Sequence, residues 1–238
     1  MSAKGLARGR SKDSATAPLF GQASRTPRKS RTATNVQAPK PDTGFEFYPT
    51  PAEAILPILE TDLIALPGGV WIDPCAGTGR IVRTVNDVRD DVRWLIVELD
   101  ERFRPQLEAL VRPGRDELLP FGDFIHRDWP FPTADVLVMN PPFEHAFDFA
   151  RTALTRAHEV LMLQRQGWFG TKGRSAWLRQ HCPNVLQLEE RPSFTPDGAT
   201  DSADYPWFHW PRGGHDRREG RVAVLAPPRA GQRDLFTT

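Results

Sequence analysis

Four residues, Asn140-Pro141-Pro142-Phe143, follow directly on the apolar run DVLVM (135–139). Pro141 and Pro142 cannot donate backbone hydrogen bonds, so a strand that reaches Asn140 must stop there. The stiffened backbone then holds the Asn140 side-chain oxygen and the Pro141 carbonyl as two fixed acceptors. Two convergent acceptors suit a donor with two hydrogens, an amino group. Engaging both N–H bonds aims the nitrogen lone pair at an electrophile held in line. No strong base is needed first, because the proton leaves once the nitrogen is positively charged. Phe143 offers a flat face to a planar substrate. A strand-ending turn with a core phenylalanine is the plainer reading, and it leaves the four residues together unexplained.

The electrophile needs its own site, and DPCAGTGR (73–80) has the form of one. Gly77 and Gly79 let a backbone approach a ligand closely, and a helix starting there presents free N–H groups. A Walker loop requires Gly-Lys-Ser/Thr, where Arg80-Ile81 stands. A dinucleotide fingerprint requires a third glycine, where Val82 stands. Glu98 lies 25 residues beyond Asp73, at the end of a second apolar run, and a carboxylate there accepts hydrogen bonds from both hydroxyls of a ribose. A loop for an amino-acid moiety plus an acid for a ribose describes S-adenosylmethionine. A third acid, Asp128 in HRDWP (126–130), is placed at the end of a short third strand, where it would bind the exocyclic amine of the cofactor adenine; Asp123 competes for that role.

These residues need a scaffold. VWID (70–73), WLIVE (94–98), DVLVM (135–139) and EVLML (159–163) are continuous apolar runs, as in strands covered on both faces. Helical patterns at 79–88, 101–111, 144–158 and 173–181 separate them. The alternation predicts a doubly wound, mostly parallel α/β sheet of Rossmann-like form. Upstream, Thr50-Pro51-Ala52-Glu53 fits a capping box with Thr50 as N-cap, opening a helix over 51–60 with a kink at Pro57. Downstream, NVLQLEE and YPWFHW read as an antiparallel pair, and RVAVLA (221–226) as an edge strand. Strand alternation predicts that only some of the rings at 207–210 are buried, by core packing. Arg165 and Arg191 read equally well as phosphate contacts or as surface charge.

Composition splits the chain. Residues 1–40 hold four Lys and five Arg against one Asp, a net of +8, so the remaining residues sum to −7 within the total of +1. The basic arm, taken as 1–43, lacks apolar periodicity and is expected to be disordered. It reads as a nucleic-acid-seeking tail or as a solvated extension. A methyl-transfer domain is expected over 44–226 and a flexible tail over 227–238. Two cysteines make no disulfide framework and no metal spacing is visible, so no metal is expected. Without a signal segment or a long apolar run, a cytoplasmic setting is expected.

Asp73 through Gly79 (with Pro74 and Ala76), Glu98 and Asn140 through Phe143 resemble three motifs of the S-adenosylmethionine-dependent N6-adenine DNA methyltransferases. Phe47-Tyr48-Pro49-Thr50-Pro51 is similar to the preceding motif of that class, which implies cofactor contacts for Tyr48, Thr50 and Pro51. RPSF (191–194) and YPWFHW resemble the C-terminal strands of small phage or prophage-type members. The resemblance spans about 44–212 and implies a target adenine flipped out of DNA beside Phe143. One departure matters: 60 residues separate Arg80 from Asn140, leaving no room there for a target-recognition domain. An RNA base or a protein glutamine amide would use the same acceptors, and a non-catalytic nucleic-acid-binding scaffold is the reading from another class.

Overall fold

The computed structural model describes residues 48–195, 198–200, 202–214 and 219–228, all within the unit Val36–Thr238. The expected basic arm, Phe47 and the tail beyond Pro228 lie outside the described residues.

Helix α1 (Ala52–Glu60) leads into β1 (Gly69–Asp73), α2 (Arg80–Val88) and β2 (Val92–Ile96). After a 3-10 turn at Glu101–Phe103 come α3 (Arg104–Glu108), β3 (Glu117–Leu118) and β4 (Ala134–Met139). Then follow α4 (Ala146–Arg156), β5 (Ala157–Leu163), α5 (Lys172–Leu178), β6 (Asn184–Leu188), β7 (Pro206–Trp210) and β8 (Val222–Leu225). The strands form one sheet in the order β3-β2-β1-β4-β5-β7-β6-β8. From β3 to β5 all pairings are parallel; β7 runs antiparallel to both β5 and β6, and β8 pairs parallel to β6 as the edge. The expected doubly wound sheet with its antiparallel C-terminal pair is therefore present.

Strand alternation distributes the side chains over two cores. Trp71, Val136, Val138 and Trp207 pack on one face with Ile55, Val82 and Leu107. Ile72, Leu137, Met139, Phe208 and Trp210 pack on the other with Ala150 and Leu178. Burial of both faces explains why the strands read as unbroken apolar runs. It also corrects the expectation for 207–210, since every ring of Pro206–Trp210 is buried. Both faces of β7 are covered, Trp207 packing in the core with Ile55 and Phe208 and Trp210 in the core with Trp168 and Leu178. His209 is accommodated because its Nε2 lies 2.7 Å from Glu159 Oε2.

Two local expectations change. The third strand is the pair Glu117–Leu118, not 126–130, which forms turns instead. Helix α1 begins at Ala52 with Pro51, at φ −73° and ψ 152°, as its N-cap; Thr50 does not cap it. The Thr50 hydroxyl has another partner, described below.

Strand order reverses direction at β1, which has β2 on one side and β4 on the other. In open α/β sheets the carboxyl ends at such a switch point form a crevice. Asp73 ends β1 and Asn140 follows β4, so both open onto it.

Candidate active site

The glycine loop joins β1 to α2, and Gly79 caps that helix at φ 75° in the left-handed region. A Cβ at Gly79 would stand 2.2 Å from Leu110 Cδ1. Gly79→Ala is expected to destabilise the protein by about 2 kcal/mol through backbone strain and repacking. An unchanged urea midpoint would contradict this.

Glu98 locks the loop in place. Its Oε2 accepts the Gly77 N–H at 2.6 Å, and its Oε1 accepts the N–H groups of Leu99 and Asp100 at 2.8 and 2.9 Å. Burial pushes the Glu98 carboxyl above its usual range, against the pull of these three donors. It follows two residues after β2 ends, slightly later than the sequence suggests. Oε1 has both acceptor positions filled, whereas Oε2, with one bond, keeps acceptor capacity for a hydroxyl.

Asp73 is fully buried; its Oδ1 accepts the Cys75 N–H at 3.3 Å and its Oδ2 has no hydrogen-bond partner. Burial pushes its carboxyl up to about 8, opposed by the Cys75 N–H and reinforced by nearby Glu98. A buried, unpartnered carboxylate oxygen suits a cationic ligand group. In its absence the folded form holds a proton that the unfolded chain, titrating near 3.8, releases. Stability therefore falls as pH rises from about 4 to about 8. Asp73→Asn keeps an acceptor for Cys75 and removes the loss. At pH 8 its thermal midpoint is expected to exceed that of the wild type by on the order of 5 °C, the two converging near pH 4. Calorimetry showing equal midpoints at pH 8 would contradict the assignment.

Asn140 follows β4, the strand next to β1, and lines the same crevice. Its Nδ2 donates to the Tyr48 carbonyl at 3.3 Å and to Thr50 Oγ1 at 3.0 Å. The segment before α1 thus orients the Asn140 amide, and both donors of the amide point at the protein. Oδ1 is left as the acceptor. The Pro141 carbonyl takes a 3.4 Å bond from Gln164 Nε2, which uses one of its two acceptor positions. Phe143 stacks on Tyr48 with centroids 5.6 Å apart and 20° between planes.

A cavity of about 240 Å³ connects the glycine loop, Glu98 and Asn140. Tyr48, Thr50, Asp73, Pro74, Ala76, Gly77, Glu98, Asn140 and Pro142 line it. Pro51, Gly79, Pro141 and Phe143 do not; they support or flank the lining residues. Asp128 is exposed and outside the cavity, whereas Asp123 lines it. The reason is a tight turn: Asp123 Oδ1 accepts the Ile125 N–H at 2.8 Å and its Oδ2 lies 2.7 Å from His126 Nδ1. The chain turns there, so Asp123 and His126 both line the cavity while Arg127 and Asp128 lie outside it. Burial alone would raise the Asp123 carboxyl, but His126 and the Ile125 N–H bring it below its usual range. Phe124 and Ile125, also in the lining, were not singled out from the sequence, since apolar residues in a short loop carry no pattern.

No family model matches the chain, and no curated protein matches it. Solved structures do. A protein of Agrobacterium tumefaciens described as a predicted O-methyltransferase aligns at TM-score 0.52 and 16% identity, over 75% of this chain and 86% of its own. A Listeria monocytogenes protein described as a class I S-adenosylmethionine-dependent methyltransferase aligns at 0.50 and 13%, over 73% and 62%. A Pyrococcus horikoshii protein described as an RNA methyltransferase aligns at 0.48 and 17%, over 70% and 88%. The fold is that of the class I S-adenosylmethionine-dependent methyltransferases. Among the described residues, no cluster of His, Cys, Asp and Glu could hold a metal ion, and no helix is long and apolar enough to cross a membrane.

Proposed function

We propose that this protein transfers a methyl group from S-adenosylmethionine to the exocyclic N6 amine of adenine in DNA. One observation carries the reading: both N–H bonds of the Asn140 amide are held by Tyr48 and Thr50, so only its oxygen faces the crevice. An acceptor fixed in that way selects an N–H donor.

The residues fit the cofactor. Asp73 Oδ2, buried and unpartnered, suits its cationic amino-acid end. Glu98 suits its ribose, and Asp123, rather than Asp128, suits an adenine amine. Bound there, S-adenosylmethionine supplies an electrophilic methyl group. The protein's own work is orientation. Asn140 Oδ1 and the Pro141 carbonyl hold the two N–H bonds of the amine, and the proton to be lost points at one of them. Pro142 narrows the approach, and the aromatic wall of Tyr48 and Phe143 holds a planar base. A geometry of this kind lowers the barrier through positioning rather than through a strong base.

DNA is favoured over an amide side chain by the planar aromatic surface and by the +8 charge of residues 1–40. Incubation with methyl-labelled S-adenosylmethionine and equal masses of DNA, RNA and a glutamine-rich protein tests the choice. Label in DNA is the expected result. Label in RNA or protein alone would reject the DNA substrate. Cofactor binding without label in any polymer would identify a non-catalytic scaffold.

A further inference from the structure

A 3-10 turn at Gln166–Gly170 leads from β5 to α5. Because β5 pairs in parallel with β4, this connection leaves the sheet at the edge that carries Asn140. It holds two donors that the fold itself leaves unanswered. Trp168 is 4% exposed, with its ring 5.1 Å from that of Phe208 and 6.3 Å from that of Trp210. Among the described residues, neither its buried Nε1 nor the buried Nε of Arg174 has a hydrogen-bond partner. The Arg174 guanidinium lies over the Trp168 ring, 5.2 Å from its centroid, so both donors belong to one locus. Burial draws that guanidinium below its usual range, and no described carboxylate pulls the other way.

Buried donors without an acceptor are costly, and a fold that keeps two of them together points to an acceptor supplied from outside. Water would satisfy the indole but would leave the cation without a counter-charge. An oxyanion answers both. The surrounding charge indicates which kind. From residue 160 to residue 188 the chain has Arg165, Lys172, Arg174 and Arg179 and neither Asp nor Glu, a net of +4 within residues 41–238, which sum to −7. An acid-free cationic run suits a polyanion better than a single small ion, since each phosphate contact releases a counterion. The space beside Gly170 and Gly173 is open, so no side chain there holds a strand away. Phe169, exposed and stacked on Phe208, adds an aromatic surface next to the cations.

We propose that the connection from β5 into α5 is a phosphate-binding site for the substrate strand, with Trp168 Nε1 and Arg174 as its donors and Lys172 beside them. The inference rests on a nucleic-acid substrate and deepens that reading: the strand is held at a second point, outside the cavity that takes the cofactor.

The test uses the full chain, isotope-labelled in its tryptophan side chains, with single-stranded oligodeoxyadenylate and, separately, inorganic phosphate. The indole N–H resonance of Trp168, identified by its loss in Trp168→Phe, is expected to move downfield as the oligonucleotide binds. Arg174→Ala should raise the oligonucleotide Kd about tenfold. The slope of log Kd against log salt should become shallower by about 0.7, the contribution of one phosphate contact on a single strand. Arg174→Lys keeps the charge and should restore the slope without the full affinity. Arg93→Ala, which removes an exposed cation beside Glu117 near the start of β2, should change neither. A fixed Trp168 resonance during oligonucleotide binding, or an unchanged slope in Arg174→Ala, would overturn the site and leave the substrate class standing. A resonance that responds to inorganic phosphate and not to the oligonucleotide would overturn the strand as its ligand. A wild-type protein that binds no oligonucleotide would overturn the substrate class and this inference with it.

Discussion

Asn140→Ala is expected to reduce methyl transfer by about 10²–10³-fold while leaving cofactor affinity within a few-fold of wild type. The magnitude follows from losing a positioned polar group that engages the reacting amine. The selectivity follows from the division of roles: Asn140 is assigned to the amine, while Asp73, Gly77 and Glu98 of the same cavity lining are assigned to the cofactor. The substitution also frees the Tyr48 carbonyl and Thr50 Oγ1, a stability cost of about 1–2 kcal/mol. Thr50→Val separates the two effects. It removes one anchor of the amide but not the acceptor, so kcat should fall by about tenfold or less. Equal turnover of Asn140→Ala and wild type would exclude the role given to the amide oxygen.

Glu98→Ala is expected to abolish measurable cofactor binding and to destabilise the fold by several kcal/mol. Three backbone N–H groups, of Gly77, Leu99 and Asp100, end on this one carboxylate. The Gly77 donor is buried and costs about 1–3 kcal/mol when left without a partner, and the part-buried Leu99 and Asp100 donors add less. The glycine loop is tied to β2 through the first of these bonds, so its shape relaxes as the carboxylate goes. Glu98→Gln keeps the size and one acceptor oxygen but turns an amide NH2 group toward one set of donors, and should fall between wild type and Glu98→Ala. Calorimetric titration with S-adenosylhomocysteine and urea unfolding read the two consequences separately. Normal affinity in Glu98→Ala would show that the acid only shapes the loop.

Much of this architecture was legible because burial on both faces leaves an unmistakable trace. The runs at 70–73, 135–139 and 159–163 lack polar interruptions, and the structure places all three at the centre of the sheet. The prolines after Asn140 mark the strand end in the same direct way. The glycine loop is legible from Gly77 and Gly79, both of which adopt positive φ.

What escaped depends on contacts between distant segments. Thr50 has every local feature of an N-cap, yet its hydroxyl serves a side chain 90 residues away. Local propensity cannot show that choice. Asp123 and Asp128 are both short acids in a polar stretch. Only the turn closed by the Ile125 N–H decides which one faces the cavity. The rings at 207–210 follow a strand pattern expected to expose alternate residues. The interior position of β7 arises because β6 and β8 add beyond it, a topological fact with no local signal. Arg165 reads as surface charge in one dimension, and its place over Phe143 follows only from the pairing of β4 with β5.

The central claim is that Asn140 and Pro141 hold an exocyclic amine for methylation. The most direct test is mass spectrometry of nucleosides released from DNA treated with the protein and S-adenosylmethionine, resolved by methylation position. N6-methyl-2′-deoxyadenosine as the dominant product, absent with Asn140→Ala, is the predicted result. A methyl group on a ring carbon, a ring nitrogen or a sugar hydroxyl would contradict it.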